Sequence, residues 1–178
     1  MLNRIWVGTS KGLFAYNTVT KVWIKAGGKT NLLPQNISDI EADNQQNIWI
    51  GTISEVGIYT IPKRGFRPLP YPYVNDFSAA DRVHLRVDYG GYLWVSAGRT
   101  GVFRHHIQSR ENDFFEGKDY EQTPGNFSNF THSPLVDHFG NVWFCGGGLH
   151  KWTNTGKQFV HYTHPFSAYQ STAAIYDD

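Results

Sequence analysis

The stretch Asp137–Trp152, DHFGNVWFCGGGLHKW, runs through an acid, a Gly-Asn pair, a tryptophan and then a glycine-led apolar segment. The same order returns in DNQQNIWIGTISEVGIYTI from Asp43 and in DYGGYLWVSAGRTGVF from Asp88, and once more, without its acid, in RIWVGTSKGLFAY from Arg4. Aligned on Trp6, Trp49, Trp94 and Trp143, the copies lie 43, 45 and 49 residues apart. A period in the forties is that of propeller blades and of some helical arrays. Helical arrays need apolar residues three and four apart. Here they alternate, or cluster in short runs of Ile, Val, Phe and Trp between glycines, which predicts sheets.

Composition points the same way. Aromatic residues make up 16% of the chain and charged residues only 17%, a balance that suits strands. The net charge of +1 is spread along the chain, so no polyanion-binding face is expected and nucleic acid is not predicted as a partner. Cys145 is the single cysteine, which excludes an internal disulfide. No apolar run is long enough to span a bilayer, and the first residues lack the layout of a signal peptide. The segment is expected to be soluble and to make no membrane contact.

Each repeat divides into four short strands. The first precedes the acid (NISDIEAD, RVHLRVD, SPLVD and, at the end, AAIYDD), and a tight turn follows. There an Asp carboxylate can accept from backbone N–H groups, while Gly or Asn takes a left-handed conformation. Asp43, Asp88 and Asp137 are therefore read as turn-builders. The second strand carries the tryptophan, the third begins at Gly12, Gly57, Gly101 and Gly148, and the variable fourth (KVWIK, GFRPLP, DFFEG, KQFVHYT) suits an outer edge. Trp6, Trp49, Trp94 and Trp143 are expected to fill the space between neighbouring sheets, each burying about 150–250 Å2.

The pattern Ile-x-Glu/Asp-Asp-x-x-Gly-Asn-x-Trp-Ile-Gly-Thr-x-x-Gly-Leu-x-x-Tyr, present as Ile40–Tyr59, Leu85–Phe103, Val136–Trp152 and Ile5–Tyr16, resembles the two-component regulator propeller repeat. The resemblance implies an all-β propeller of four-stranded antiparallel blades. It also implies a place in the extracytoplasmic, periplasmic sensor region of a bacterial hybrid histidine kinase, with any kinase outside this chain. Ser96-Ala97 and Cys145-Gly146 replace Gly-Thr, and Pro134 replaces an apolar residue. Streptogramin lyases carry a similar repeat, so the motif is more specific for architecture than for function.

Entering at a second strand and leaving at a first, the chain counts sixteen strands, or about four blades: 1–35 plus 171–178, 36–80, 81–130 and 131–170. Two arrangements accommodate this count. The last strand can close a four-bladed ring beside Ile5-Trp6-Val7, or the chain can be a segment of a larger propeller. In the latter case further blades, or a second copy of the chain, would cover its edges.

Loops between second and third strands, and between consecutive blades, share one rim and are the expected recognition surface. The candidate ligand-binding residues there are Lys11, Glu55, Tyr71, Tyr73, Arg82, Arg99, Phe130 and His132, with Phe77, Phe127 and Asn129 beside them. By the resemblance such a rim reads a glycan or another small ligand, or a protein partner, and aromatic faces suit sugar rings. Catalytic and metal signals are weak. His105 and His106 are adjacent and would point to opposite faces of a strand, Cys145 reads as a small buried residue, and CGGGLH lacks the lysine and helix of a phosphate loop. No catalytic residue, cofactor or metal is therefore expected. The leading expectation is a non-catalytic sensory module of a two-component protein. The alternatives are a lyase-like propeller enzyme seeded by His84 and His132, and a truncated structural interaction module.

Overall fold

The computed structural model describes residues 3–27, 33–52, 55–61, 63–70, 82–97, 101–115, 133–146, 148–155, 157–162 and 176–177. These form fifteen strands, all paired antiparallel in chain order, and no helix. The chain divides into two compact units, Met1–Val83 and His84–Asp178.

The first unit holds a three-stranded sheet of β1 (Arg4–Thr9), β2 (Gly12–Asn17) and β3 (Trp23–Lys25), and a four-stranded sheet of β4 (Ile37–Ala42), β5 (Asn47–Thr52), β6 (Val56–Thr60) and β7 (Gly65–Pro68). Leu13, Ala26, Ile48, Ile50 and Tyr59 are buried together, with Trp6, Ile37, Ile40 and Phe66 packed against them. The Trp6 ring meets Tyr59 edge-on at 5.9 Å, so an indole from β1 wedges against β6 of the next sheet. Small residues permit this closeness. A Cβ on Gly8 would lie 2.5 Å from Cγ2 of Ile37, and one on Gly57 would lie 2.3 Å from Cζ of Phe66 and 2.7 Å from the Arg67 carbonyl oxygen.

The second unit contains most of a sheet of β8 (Val83–Val87), β9 (Tyr92–Ala97), β10 (Val102–His106) and β11 (Asn112–Phe115), and a sheet of β12 (Leu135–Val136), β13 (Val142–Gly146), β14 (Gly148–Thr153) and β15 (Gln158–Tyr162). Its core joins Trp94 and Val102 to Val142, Phe144, Trp152 and Phe159. Trp94 meets Phe144 at 5.4 Å and Trp152 at 5.5 Å, both edge-on, a geometry that gains about 0.5–1.5 kcal/mol per pair beyond area burial. Arg104 is also buried here, over Tyr92 at 4.4 Å and Trp152 at 4.6 Å. Its charge is met by Asp113, whose carboxylate accepts from Nε at 2.9 Å.

The order of second, third and fourth strands agrees with the reading of the repeat. The four tryptophans are not equally enclosed: Trp49 and Trp94 are fully buried, while Trp6 and Trp143 are half-buried. Of the strand expected over Ala173–Asp178, only Tyr176 and Asp177 are described, and neither is in a strand. The Asp177 carboxylate instead accepts from the His138 backbone N–H at 2.7 Å and sits 2.8 Å from its Nδ1.

Candidate functional site

Two of the rim turns are held by the threonine of the Gly-Thr pair. Thr9 Oγ1 accepts from the Lys11 N–H at 3.1 Å and donates to the Gly12 carbonyl at 2.8 Å. Thr52 Oγ1 repeats the device, accepting from the Glu55 N–H at 3.0 Å and donating to the Glu55 carbonyl at 3.2 Å. Lys11 is thereby presented exposed and Glu55 half-buried, at corresponding ends of adjacent hairpins. Arg82 is exposed immediately before β8. Tyr71, Tyr73, Arg99, Phe130 and His132, with Phe77, Phe127 and Asn129, lie outside the described residues.

The opposite ends of the hairpins carry the acidic turns, where the aspartate grips the tryptophan six residues later. The indole Nε1–H donates to the carboxylate at 3.1 Å for Trp49–Asp43, 2.7 Å for Trp94–Asp88 and 2.7 Å for Trp143–Asp137. The other carboxylate oxygen accepts from the backbone N–H four residues on: Asn47 at 2.9 Å, Tyr92 at 2.9 Å and Asn141 at 2.7 Å. Asn47 and Asn141 add their side-chain amides, at 2.9 and 2.7 Å. The sequence foretold the turn but not the indole bond, although the constant spacing of six was its visible trace. Burial alone would raise the Asp137 pKa. The bonds from Trp143, Asn141 and Phe139 outweigh it, so the carboxyl lies below its usual value.

The residue three before each tryptophan takes positive φ: Gln46 at 66°, Gly91 at 82°, Gly140 at 83° and, in the copy that lacks an acid, Asn3 at 72°. Beside this last turn a cleft of ≈ 420 Å3 is lined by Asn3, Arg4, Trp6, Asn17, Val19, Thr20, Gln46 and Ile61. Sequence reasoning singled out none of these as a binding residue, and named Trp6 only as a structural one.

Four of the described histidines, His105, His106, His150 and His161, have partners close in sequence. His105 is buried with Nδ1 2.7 Å from Asn112 Oδ1, and His106 turns to Ser109 Oγ at 2.7 Å. His150 is wholly buried, its Nδ1 3.3 Å from that of His161, and desolvation lowers the His161 pKa. Cys145 is buried within β13. Among the described residues no group of three or more His, Cys, Asp or Glu is placed to hold a metal ion, and none forms a helix long and apolar enough to cross a membrane.

Residues 31–54 match the family model described as "Two component regulator propeller", and no curated protein matches the chain. Among solved structures the fold is similar to the extracellular domain of a one component system from B. thetaiotaomicron, with TM-score 0.73 and 20% identity over 92% of this chain and 21% of that one. It is similar also to the extracellular domain of a hybrid two component system from the same organism (TM-score 0.68, 24% identity, 92% of this chain and 22% of that). An ancestral GH74 enzyme shares the fold at TM-score 0.64 and 14% identity, over 92% of this chain and 23% of that chain. The chain thus spans about a fifth of the length of these structures. The architecture is that of propeller blades, and the resemblance read from the repeats is borne out.

Proposed function

We propose that these two-component regulator propeller repeats form a sensory module, extracytoplasmic and without catalysis of its own, which binds a small ligand such as a glycan or a protein partner for a bacterial two-component protein. The observation that carries this reading is the family match over residues 31–54, centred on the same acid-to-indole turn that recurs at Asp88 and Asp137. A rigid sheet scaffold with threonine-stapled turns holds Lys11 and Glu55 in defined positions, which lowers the ordering cost of recognition. Signal would follow from a ligand that favours one arrangement of the full-length protein over another.

The experiment is a thermal-shift screen of the chain against oligosaccharides, followed by calorimetry. The expected result is a raised melting temperature with at least one glycan class, and affinity that falls about tenfold in Lys11→Ala or Arg82→Ala as a charge-assisted bond is lost. Conversion of the bound compound to product would overturn the non-catalytic reading. Binding unchanged in these variants would remove the rim from it.

A further inference from the structure

Among the described residues, the non-glycine positions at positive φ are of two kinds. Asn3, Asn36 and Gln46 are amides. Lys21 (60°), Arg64 (49°), Arg110 (65°) and Lys157 (47°) are bases, and each closes the turn between the third and fourth strands of its own repeat. Glycine and asparagine meet a left-handed position at least cost, the first because it lacks a Cβ and the second because its short amide bonds locally. Lysine and arginine have neither advantage. Backbone geometry therefore gives no reason for a base to recur there, once in every copy.

The backbone of these turns is satisfied without the side chains. Lys21 N–H donates to the Asn17 carbonyl at 2.9 Å, Arg64 N–H to that of Ile61 at 3.3 Å and Arg110 N–H to that of His106 at 2.8 Å. All four bases, and Lys63 beside Arg64, are exposed, and among the described residues none of them forms an ion pair. In a meander these turns lie at the same end of the sheet as the acidic turns. Thr18 N–H joins the two by donating to the Asn3 carbonyl at 2.8 Å, as Ile107 N–H does to the Gly91 carbonyl at 3.0 Å. Asp43 and Asp137 are buried there on their indole and backbone donors, so the charge turned outward is positive. The net charge of +1 conceals this segregation. In the first unit, residues 12–25 and 56–68 hold Lys21, Lys25, Lys63, Arg64 and Arg67 without an Asp or Glu; in the second, Glu111 follows Arg110.

We infer that the basic turns bind an anionic polysaccharide, the first unit through Lys21, Lys63 and Arg64 and the second through Arg110 and Lys157. Sheets packed face to face stand about 10 Å apart, so the cations on the two sheets of one unit are spaced at about that interval or wider. Such spacing suits a saccharide whose sulfates or carboxylates are spread along the chain, and not duplex DNA with a charge every ~1.7 Å of its axis. That the anion is a saccharide rests on the sensory reading; that the turns bind an anion does not.

The test titrates the chain with dextran sulfate by calorimetry at about 20 mM and about 150 mM salt, with uncharged dextran as the reference. Dextran sulfate should bind, more weakly at the higher salt, and dextran should not. Lys21→Asn with Arg64→Asn keeps a residue tolerant of the left-handed backbone and should weaken binding about tenfold, as should Arg110→Asn with Lys157→Asn. Lys25→Gln with Arg67→Gln removes the same charge from the outer strands of the first unit and should leave affinity unchanged. An equal loss in that control would reduce the effect to net charge and overturn the inference, as would dextran sulfate that fails to bind or ignores both turn pairs. Tighter binding of a duplex DNA oligomer, or of anionic phospholipid vesicles, through the same turn residues would overturn the saccharide as occupant. A neutral glycan held through Lys11 and Arg82, with no binding of dextran sulfate, would sink this inference and leave the sensory reading standing; dextran sulfate held by the turns, with no glycan bound at the rim, would do the reverse for the rim.

Discussion

At the scale of single residues, the repeat works through one aspartate that collects several donors at once. Asp43 accepts from the backbone of Gln45 and Asn47, the amide of Asn47 and the indole of Trp49. Its replacement by Ala orphans all of them, and a loss of about 3–5 kcal/mol in urea unfolding is expected. The tryptophans should respond unequally to removal of the N–H alone. Trp94→Phe leaves Asp88 short of its 2.7 Å donor and should cost about 1–3 kcal/mol, whereas Trp6→Phe deletes a donor that no described residue accepts from and should cost under about 1 kcal/mol beyond lost packing. Asp137 adds a pH dependence. Its folded pKa lies below the unfolded value, so the unfolded chain binds more protons as pH falls. The contribution is intact above about pH 4 and is lost as pH drops through the folded value. Asp137→Asn should flatten the acid limb of a stability-against-pH curve.

At the scale of strands and turns, most of what the structure shows was legible in the sequence, because period-two apolar runs between glycines leave few alternatives to a meander. The boundaries of β5 and β9 follow NIWIGT and YLWVSA residue for residue. What escaped notice involved partners that local pattern cannot display, namely the carboxylate-to-indole bond and the cleft beside Asn3. Of the expected rim, Lys11 and Arg82 are exposed and Glu55 is half-buried, and the long aromatic loops lie outside the described residues. Glycine in the third strand was legible as punctuation, but its need comes from packing. Gly57→Ala would drive a methyl into Phe66 and the Arg67 carbonyl, and a loss of about 1–3 kcal/mol in thermal or urea unfolding is expected from such overpacking. The His150–His161 pair couples β14 to β15. Because desolvation lowers the His161 pKa, the unfolded chain takes up protons first, and stability should decline as pH falls below about 6.5. His161→Phe should weaken that decline.

At the scale of the whole molecule, one apolar cluster lies within each unit. In repeat architectures stability is close to a sum of unit terms and nearest-neighbour interfaces. Trp94→Ala removes the central ring of the second cluster, which touches Phe144, Trp152 and Phe159. Amide-exchange protection is therefore expected to collapse across β9–β15 while β1–β3 keep most of theirs. Equal loss in all sheets would show that the units unfold as one.

The fastening of each turn to its own tryptophan has a bearing on how such chains grow. Donor and acceptor are six positions apart in Asp43–Trp49, Asp88–Trp94 and Asp137–Trp143, so a duplicated stretch of gene arrives with its lock and key together. Units of this kind can multiply or diverge at their loops without any compensating change in an adjoining copy. A lineage can thus vary what its loops touch while inheriting the frame of each unit unaltered.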